Sequence, residues 1–192
     1  MNKAIFIDKD GTLIHDIPYN VDVSRITFTG GAIEALQQWK RLGYLLVIIS
    51  NQSGIARDYF TEEDMEKVKD FIVARLAQHQ IILNGFYYCP HYPEGINKKY
   101  AIACDCRKPL PGLILKAAED LNIDIKSSWM IGDSLHDVEA GNRAGCRTIY
   151  IHDANEIERL FGKLQTPNYT TRNLKAAADF IAQAKLNHQE QK

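Results

Sequence analysis

Apolar residues along the chain fall into two interleaved patterns. Short runs at Ala4 to Ile7, Tyr44 to Ile49, Gly85 to Tyr88, Trp129 to Ile131 and Arg147 to Ile151 are no longer than a strand. The clearest of them are continuously apolar, as a strand covered on both faces requires, and this is the pattern of a parallel sheet. Between the runs, apolar residues recur at helical spacing. Ala32, Ile33, Ala35, Leu36, Trp39 and Leu42 follow Gly30-Gly31 and stop at Gly43. Met65, Val68, Phe71, Ile72 and Leu76 form a second stripe, opened by Thr61 as N-cap with Asp64 three residues on.

Pro111 predicts the first residue of a helix whose core face is Leu113, Ile114, Ala117, Ala118 and Leu121. Two further helices are predicted over Val138 to Ala144 and Leu174 to Leu186, with a polar C-terminal tail over 187–192. Strand and helix thus alternate, which predicts an α/β fold with an open parallel, Rossmann-like sheet flanked by helices. Residues 1–186 read as a single domain, with no repeat or linker. Ligands are expected beyond the carboxyl ends of the strands.

Composition narrows the function classes. The 192 residues are 45% hydrophobic and 24% charged, an ordinary globular balance. A chain of this length buries roughly 70% of its unfolded surface and needs no disulfides. With 23 Lys+Arg against 24 Asp+Glu, the formal charge of -1 leaves no electrostatic footprint for nucleic acid or an anionic membrane. The N-terminal apolar run is too short for a signal peptide, and no stretch approaches the ~20 residues of a membrane span. The expectation is a cytoplasmic protein with neither nucleic-acid nor membrane partner, and nothing in the pattern demands more than a monomer.

Polar residues gather at three predicted strand ends. Asp8-Lys9-Asp10-Gly11-Thr12 follows the first. Two carboxylates at i and i+2 suit a hard cation such as Mg²⁺. The first is also a possible nucleophile toward phosphorus, and the second a general acid and base. The competing reading is a solvated turn. Ser50-Asn51-Gln52-Ser53-Gly54 follows the second and offers a hydroxyl and backbone N–H groups to phosphate oxygens, though such residues are also generic loop chemistry. Gly132-Asp133-Ser134-Leu135-His136-Asp137 supplies another acidic pair. Asp133 could complete a cation shell, and Asp137 either orders a loop or sits in the first turn of the next helix. Arg107-Lys108 precedes a helix, where Lys108 would offset negative charge at the site.

Of four cysteines, three lie between Cys89 and Cys106. Cys89-x-His91 and Cys104-x-Cys106 provide three thiolates and one imidazole, a full tetrahedral shell for structural Zn²⁺ with no open position for water. Free cysteines or a labile disulfide are the alternatives. Without the metal, Tyr92 to Ala103 would be an untethered loop. Cys146, next to Gly145, reads as a small buried hydrophobe.

Asp8-Lys9-Asp10-Gly11-Thr12, Ser50-Asn51, Lys108 and Gly132-Asp133 stand in the order and at the spacing of the haloacid dehalogenase superfamily, which the chain resembles over almost its whole length. Cys89-Pro90-His91 and Cys104-Asp105-Cys106-Arg107-Lys108-Pro109 resemble its branch of heptose bisphosphate and histidinol-phosphate phosphatases, and Asn51 to Arg57 favours the heptose side. The resemblance implies a Mg²⁺-dependent phosphatase that works through an aspartyl-phosphate. It implies Asp8 as nucleophile, Asp10 as acid and base, and Ser50 and Lys108 as phosphoryl ligands. It further implies Mg²⁺ on Asp8, Asp133 and the main-chain carbonyl of Asp10. Substrate would be bound by Asp16, Ile17, Pro18, Tyr19, Ser50, Asn51, Gln52, Ser53, Arg107 and Lys108. Ser134 departs from the pattern, since close relatives often carry Lys there. Neither Asp10 to Ser50 nor Asn51 to Lys108 has room for a cap domain of ~100 residues. The expected substrate is therefore a small phosphorylated sugar, selected by short loops of which the zinc loop, 89–107, is the largest.

Overall fold

The computed structural model describes residues 1–152 and 162–189, with side chains of the last helix to Leu186. Six parallel strands form one sheet: β1 (Lys3–Ile7), β2 (Tyr44–Asn51), β3 (Gly85–Cys89), β4 (Trp129–Gly132), β5 (Arg147–Ile151) and β6 (Tyr169–Thr171). Their spatial order is β3-β2-β1-β4-β5-β6. Among the described residues, five α-helices accompany them: α1 (Ala32–Arg41), α2 (Glu62–Gln78), α3 (Gly112–Asp120), α4 (Leu135–Ala144) and α5 (Leu174–Gln189).

Successive strand residues go to opposite faces, so each continuous apolar run fills two cores. Ile5 and Ile7 of β1, Leu46 and Ile48 of β2, and Trp129 and Ile131 of β4 join one cluster with α1, α2 and α5. Ala4 and Phe6, Val47 and Ile49, and Met130 join the other with α3 and α4. Trp39 and Trp129 are both core residues, and Cys146 is buried in the second cluster.

The chain winds outward from β1 through β2 to β3, then returns beside β1 with β4 and winds the other way. The carboxyl ends of β1 and β4 therefore flank the switch point, where such sheets open a crevice for ligands. Ile7 pairs with Ile131, and the Asp8 N–H donates to Ile131 O at 2.9 Å, so Asp8 and Asp133 leave the sheet side by side.

Some boundaries differ from those predicted. Helix α4 begins at Leu135 because Ser134 and Asp137 form a capping box ahead of the apolar stretch. Pro111 is the N-cap of α3 rather than its first residue. Helix α5 continues to Gln189, into the segment expected as a tail, and residues 190–192 lie outside the described residues. Strand β6 was not predicted: three half-buried or exposed residues carry no apolar run. Among the described residues, no helix is long and apolar enough to cross a membrane.

Candidate active site

Three carboxylates meet outside β1 and β4. Ligand atoms of Asp8, Asp133 and Asp137 all lie within 4.8 Å of one another. Asp8 and Asp133 emerge from strand ends, while Asp137 is held in the first turn of α4 by its cap, where Asp137 Oδ2 accepts the Ser134 N–H at 3.1 Å. Two glycines make the space. Gly11 has φ +80°, and a Cβ there would stand 2.0 Å from Asp133 Oδ2. At Gly132 a Cβ would meet Asp137 Oδ2 at 2.2 Å. Thr12 Oγ1 donates to Asp133 Oδ1 at 2.8 Å and fixes its orientation.

Lys108 is the counter-charge. Its ammonium is buried and bonds Asp8, Asp137 Oδ1 at 2.6 Å and Ile49 O at 3.0 Å. Burial alone would lower its pKa, but Asp137 and Asp8 outweigh that and hold it above the ordinary lysine value. One ammonium does not balance three carboxylates. Burial, reinforced by Asp137, Asp133 and Asp10 against Lys108, pushes Asp8 well above the usual carboxylate range. Burial and the Asp137 charge push Asp133 up to about 6. An all-oxygen cluster with surplus negative charge is the donor set that a hard divalent cation fits.

Asp10 stands beside this cluster rather than in it. Its Oδ1 accepts from Lys9 Nζ at 2.5 Å and its Oδ2 from Gln52 Nε2 at 2.9 Å. Asn51 clasps the backbone of Lys108, with Oδ1 accepting the Lys108 N–H at 3.0 Å and Nδ2 donating to its carbonyl at 3.1 Å.

A cleft of about 180 Å³ is lined by Asp8, Asp10, Asn51, Lys108, Asp133, Ser134, His136 and Asp137. An adjoining recess of about 290 Å³ shares Asp10 and Asn51 and is walled by Asp16, Ile17, Pro18, Tyr19, Gln52 and Ser53 among others. Burial, then the Asp10 charge, raises the Asp16 pKa. Tyr19 holds φ +55°, uncommon for a non-glycine residue, and meets Tyr59 edge to face at 4.7 Å.

Two residues expected at the substrate are absent from the linings of both cavities. Ser50 is buried and lines neither cavity; its Oγ accepts from Gln52 Nε2 at 2.8 Å. Arg107 also lines neither, its guanidinium lying 5.3 Å from the Tyr92 ring centre and Nη1 donating to His91 O at 3.4 Å. Lys9, Thr12 and Gln52 support the site in ways not visible from the motifs. Lys9 bonds its sequence neighbour Asp10, while the partners of Thr12 and Gln52 are set by chain crossings, and only the polar character of the strand ends hinted at them.

The four residues of the second cluster also converge. Sγ separations are 3.5 Å for Cys89–Cys104, 3.0 Å for Cys89–Cys106 and 3.2 Å for Cys104–Cys106. His91 Nδ1 lies 3.8 Å from Cys89 Sγ and 3.3 Å from Cys106 Sγ. A zinc tetrahedron with Zn–S of about 2.3 Å has edges of roughly 3.8 Å, so these atoms form a slightly contracted version of one. They are too far apart for a disulfide, and all four cysteines are free. Burial raises the Cys104 thiol, and the hydrogen bond with Cys89, then burial, raises Cys106. Sulfurs this crowded ionise together only around a cation.

The loop after His91 has anchors beyond the cysteine–histidine cluster. Asn97 N–H donates to Ala56 O at 2.9 Å, Asn97 Nδ2 to Asp58 at 2.6 Å, and Tyr100 Oη to Glu62 at 2.6 Å. These partners lie around the start of α2, more than thirty residues away in sequence.

Comparison with known proteins agrees with this geometry. The HAD-hydrolase-like family model matches residues 105–177. A D-glycero-beta-D-manno-heptose-1,7-bisphosphate 7-phosphatase of Pasteurella multocida is 49% identical over 75% of this chain and 78% of its own. The chain belongs to the haloacid dehalogenase superfamily, among the heptose bisphosphate phosphatases. An Escherichia coli K12 member with the same enzyme name is 42% identical over 76% of each chain. A solved haloacid dehalogenase structure, D,D-heptose 1,7-bisphosphate phosphatase from B. bronchiseptica complexed with magnesium and phosphate, superposes with a TM-score of 0.77. It is 26% identical and covers 95% of this chain and 99% of that one. The longest excursions from strand to helix among the described residues are 8–31 and 90–111, too short for a large cap.

Proposed function

We propose that this protein is a Mg²⁺-dependent phosphatase that removes the C7 phosphate of D-glycero-D-manno-heptose 1,7-bisphosphate. One observation carries the chemistry: Lys108 is buried between Asp8 and Asp137 at the sheet's switch point, with Asp10 beside them. The substrate follows from kinship with the heptose bisphosphate phosphatases.

The Asp8 carboxylate attacks phosphorus as the bond from phosphorus to the sugar oxygen breaks. Asp10 gives that oxygen a proton, then takes one from the water that cleaves the aspartyl-phosphate, restoring Asp8 and releasing phosphate. Lys108 faces the developing phosphoryl charge, and kinship with the family gives the buried Ser50 hydroxyl a supporting part there. Ser50 already accepts from Gln52, which leaves its proton to donate. Asp8, Asp133 and the Asp10 main-chain carbonyl would hold Mg²⁺, which supplies the charge needed to bring a dianion against an acidic cluster. Asp16, Ile17, Pro18, Tyr19, Asn51, Gln52 and Ser53 wall the recess for the sugar, and kinship with the family adds Arg107 as a substrate cation from outside it.

The same reading gives Zn²⁺ to Cys89, His91, Cys104 and Cys106 in a structural role, supported by their near-tetrahedral spacing. It takes residues 1–186 as one monomeric domain and the cytoplasm, where thiols stay reduced, as its compartment. The test is turnover with Mg²⁺ on both heptose anomers and on histidinol phosphate. The expected result is the higher kcat/KM on a heptose bisphosphate, and faster hydrolysis of histidinol phosphate overturns the assignment.

A further inference from the structure

Gln52 belongs to a recess expected to grip the sugar, yet its amide is already committed to protein. It is buried, and its Nε2 donates to Asp10 Oδ2 at 2.9 Å and to Ser50 Oγ at 2.8 Å. Its backbone is committed as well. The Gln52 N–H donates to Cys89 O at 2.8 Å, immediately past the β2–β3 pairing of Asn51 with Cys89. The amide that reaches Asp10 is therefore anchored on a residue of the cysteine–histidine cluster.

The geometry divides labour between consecutive residues. Asn51 fixes the backbone of Lys108, and Gln52 fixes the side chain of Asp10. Lys9 grips the other Asp10 oxygen. An ammonium favours the ionised carboxylate, whereas an amide can accompany either protonation state and act mainly on direction. Asp10 stands just before Gly11 and has a partly exposed side chain, so without Gln52 its carboxylate would be held by Lys9 alone.

We infer that Gln52 is a positioning residue for proton transfer, holding the Asp10 carboxyl toward the leaving oxygen. This rests on Asp10 being the general acid of the proposed reaction. A positioning role differs from substrate binding in one measurable way. Loss of an aligned acid harms only leaving groups that need a proton and has no further effect once Asp10 is gone, while loss of a sugar contact persists without Asp10.

The experiment compares kcat/KM on the heptose bisphosphate, an alkyl phosphate, with 4-nitrophenyl phosphate, whose phenolate departs unprotonated. The parameter kcat/KM is used because it reports steps up to transfer onto Asp8, before water is activated. Wild type, Gln52→Met, Asp10→Asn and the double variant are measured. Gln52→Ala repeats the comparison without the bulk of Met, and circular dichroism confirms folding. In Gln52→Met the alkyl-to-aryl ratio should fall by at least about tenfold, a fraction of the range for general acid catalysis. In the Asp10→Asn background the same change should leave the ratio where Asp10→Asn alone put it. Equal losses on both substrates overturn the inference, as does an undiminished effect of Gln52→Met in the Asp10→Asn background, which makes Gln52 a sugar contact. If Asp10→Asn leaves the ratio unchanged, the acid role of Asp10 falls, and the role given to Gln52 falls with it.

Discussion

The acidic cluster is gathered from two strand ends and a helix, with Lys108 reaching Asp8 across one hundred residues. The cysteine–histidine cluster comes from two short pairs whose sulfurs are fifteen to seventeen residues apart. The first is hard, oxygen-rich and open to a cleft; the second is soft and complete in four ligands. An assembly drawn from distant strand ends depends on the whole sheet and keeps its surplus charge for a cation and a substrate phosphate. An assembly closed within one loop depends on local chain, and the task proposed for it is shape. The chemistry is therefore expected to be sensitive to single atoms of the first cluster and only indirectly to the second.

The contrast is tested most severely by Asp8→Asn. Phosphate release should fall by at least about 10³-fold, while zinc content and melting temperature hold, since Asn keeps the side-chain volume and Asp8 lies outside both apolar clusters. Lys108→Met comes next, leaving Asp8 and Asp137 without their cation. Turnover should drop about 10²–10³-fold. Its melting temperature should fall in chelator and recover in part with Mg²⁺, a response that calorimetry would not find in a mere packing defect.

Cys106→Ser probes the other cluster. Zinc content by mass spectrometry should fall well below one per chain, and activity by roughly tenfold, within the range for indirect support of a site. Because Asn97 and Tyr100 still dock the loop, amide exchange over 92–103 should quicken without becoming that of an unfolded segment. Thr12→Val removes the donor that orients Asp133, so the Mg²⁺ concentration for half-activity should rise about tenfold with kcat nearly unchanged at saturation. The smallest effect belongs to Glu62→Gln. It weakens the exposed contacts of Tyr100 and Lys99, and denaturant titration should show no more than about 1 kcal/mol with activity intact.

Much of this arrangement was legible in the residues. Strands buried on both faces announce themselves as continuous apolar runs, and an abrupt change to aspartate marks where β1 and β4 end. Cys-x-His and Cys-x-Cys are close enough in sequence to suggest a shared centre. Other features were hidden for a physical reason. The edge strand β6 needs only one partner, so no hydrophobic run marks it. The bonds from Gln52 to Asp10, Asn51 to Lys108 and Thr12 to Asp133 span 42, 57 and 121 residues, and topology rather than local pattern creates them. The tether of the 92–103 loop was missed for the same cause, its anchors lying around the start of α2.

Gly11 and Gly132 give the molecule a map of where variation is tolerable. At both positions the first atom of any side chain would take the place of a carboxylate oxygen. A library meant to broaden substrate range would lose its chemistry by sampling either one, whereas Asp16 to Tyr19 and Ser53 can change without displacing Asp133 or Asp137. Selectivity and reactivity are thus separable for an engineer. The boundary between them is drawn by two hydrogen atoms standing where methyl groups would not fit.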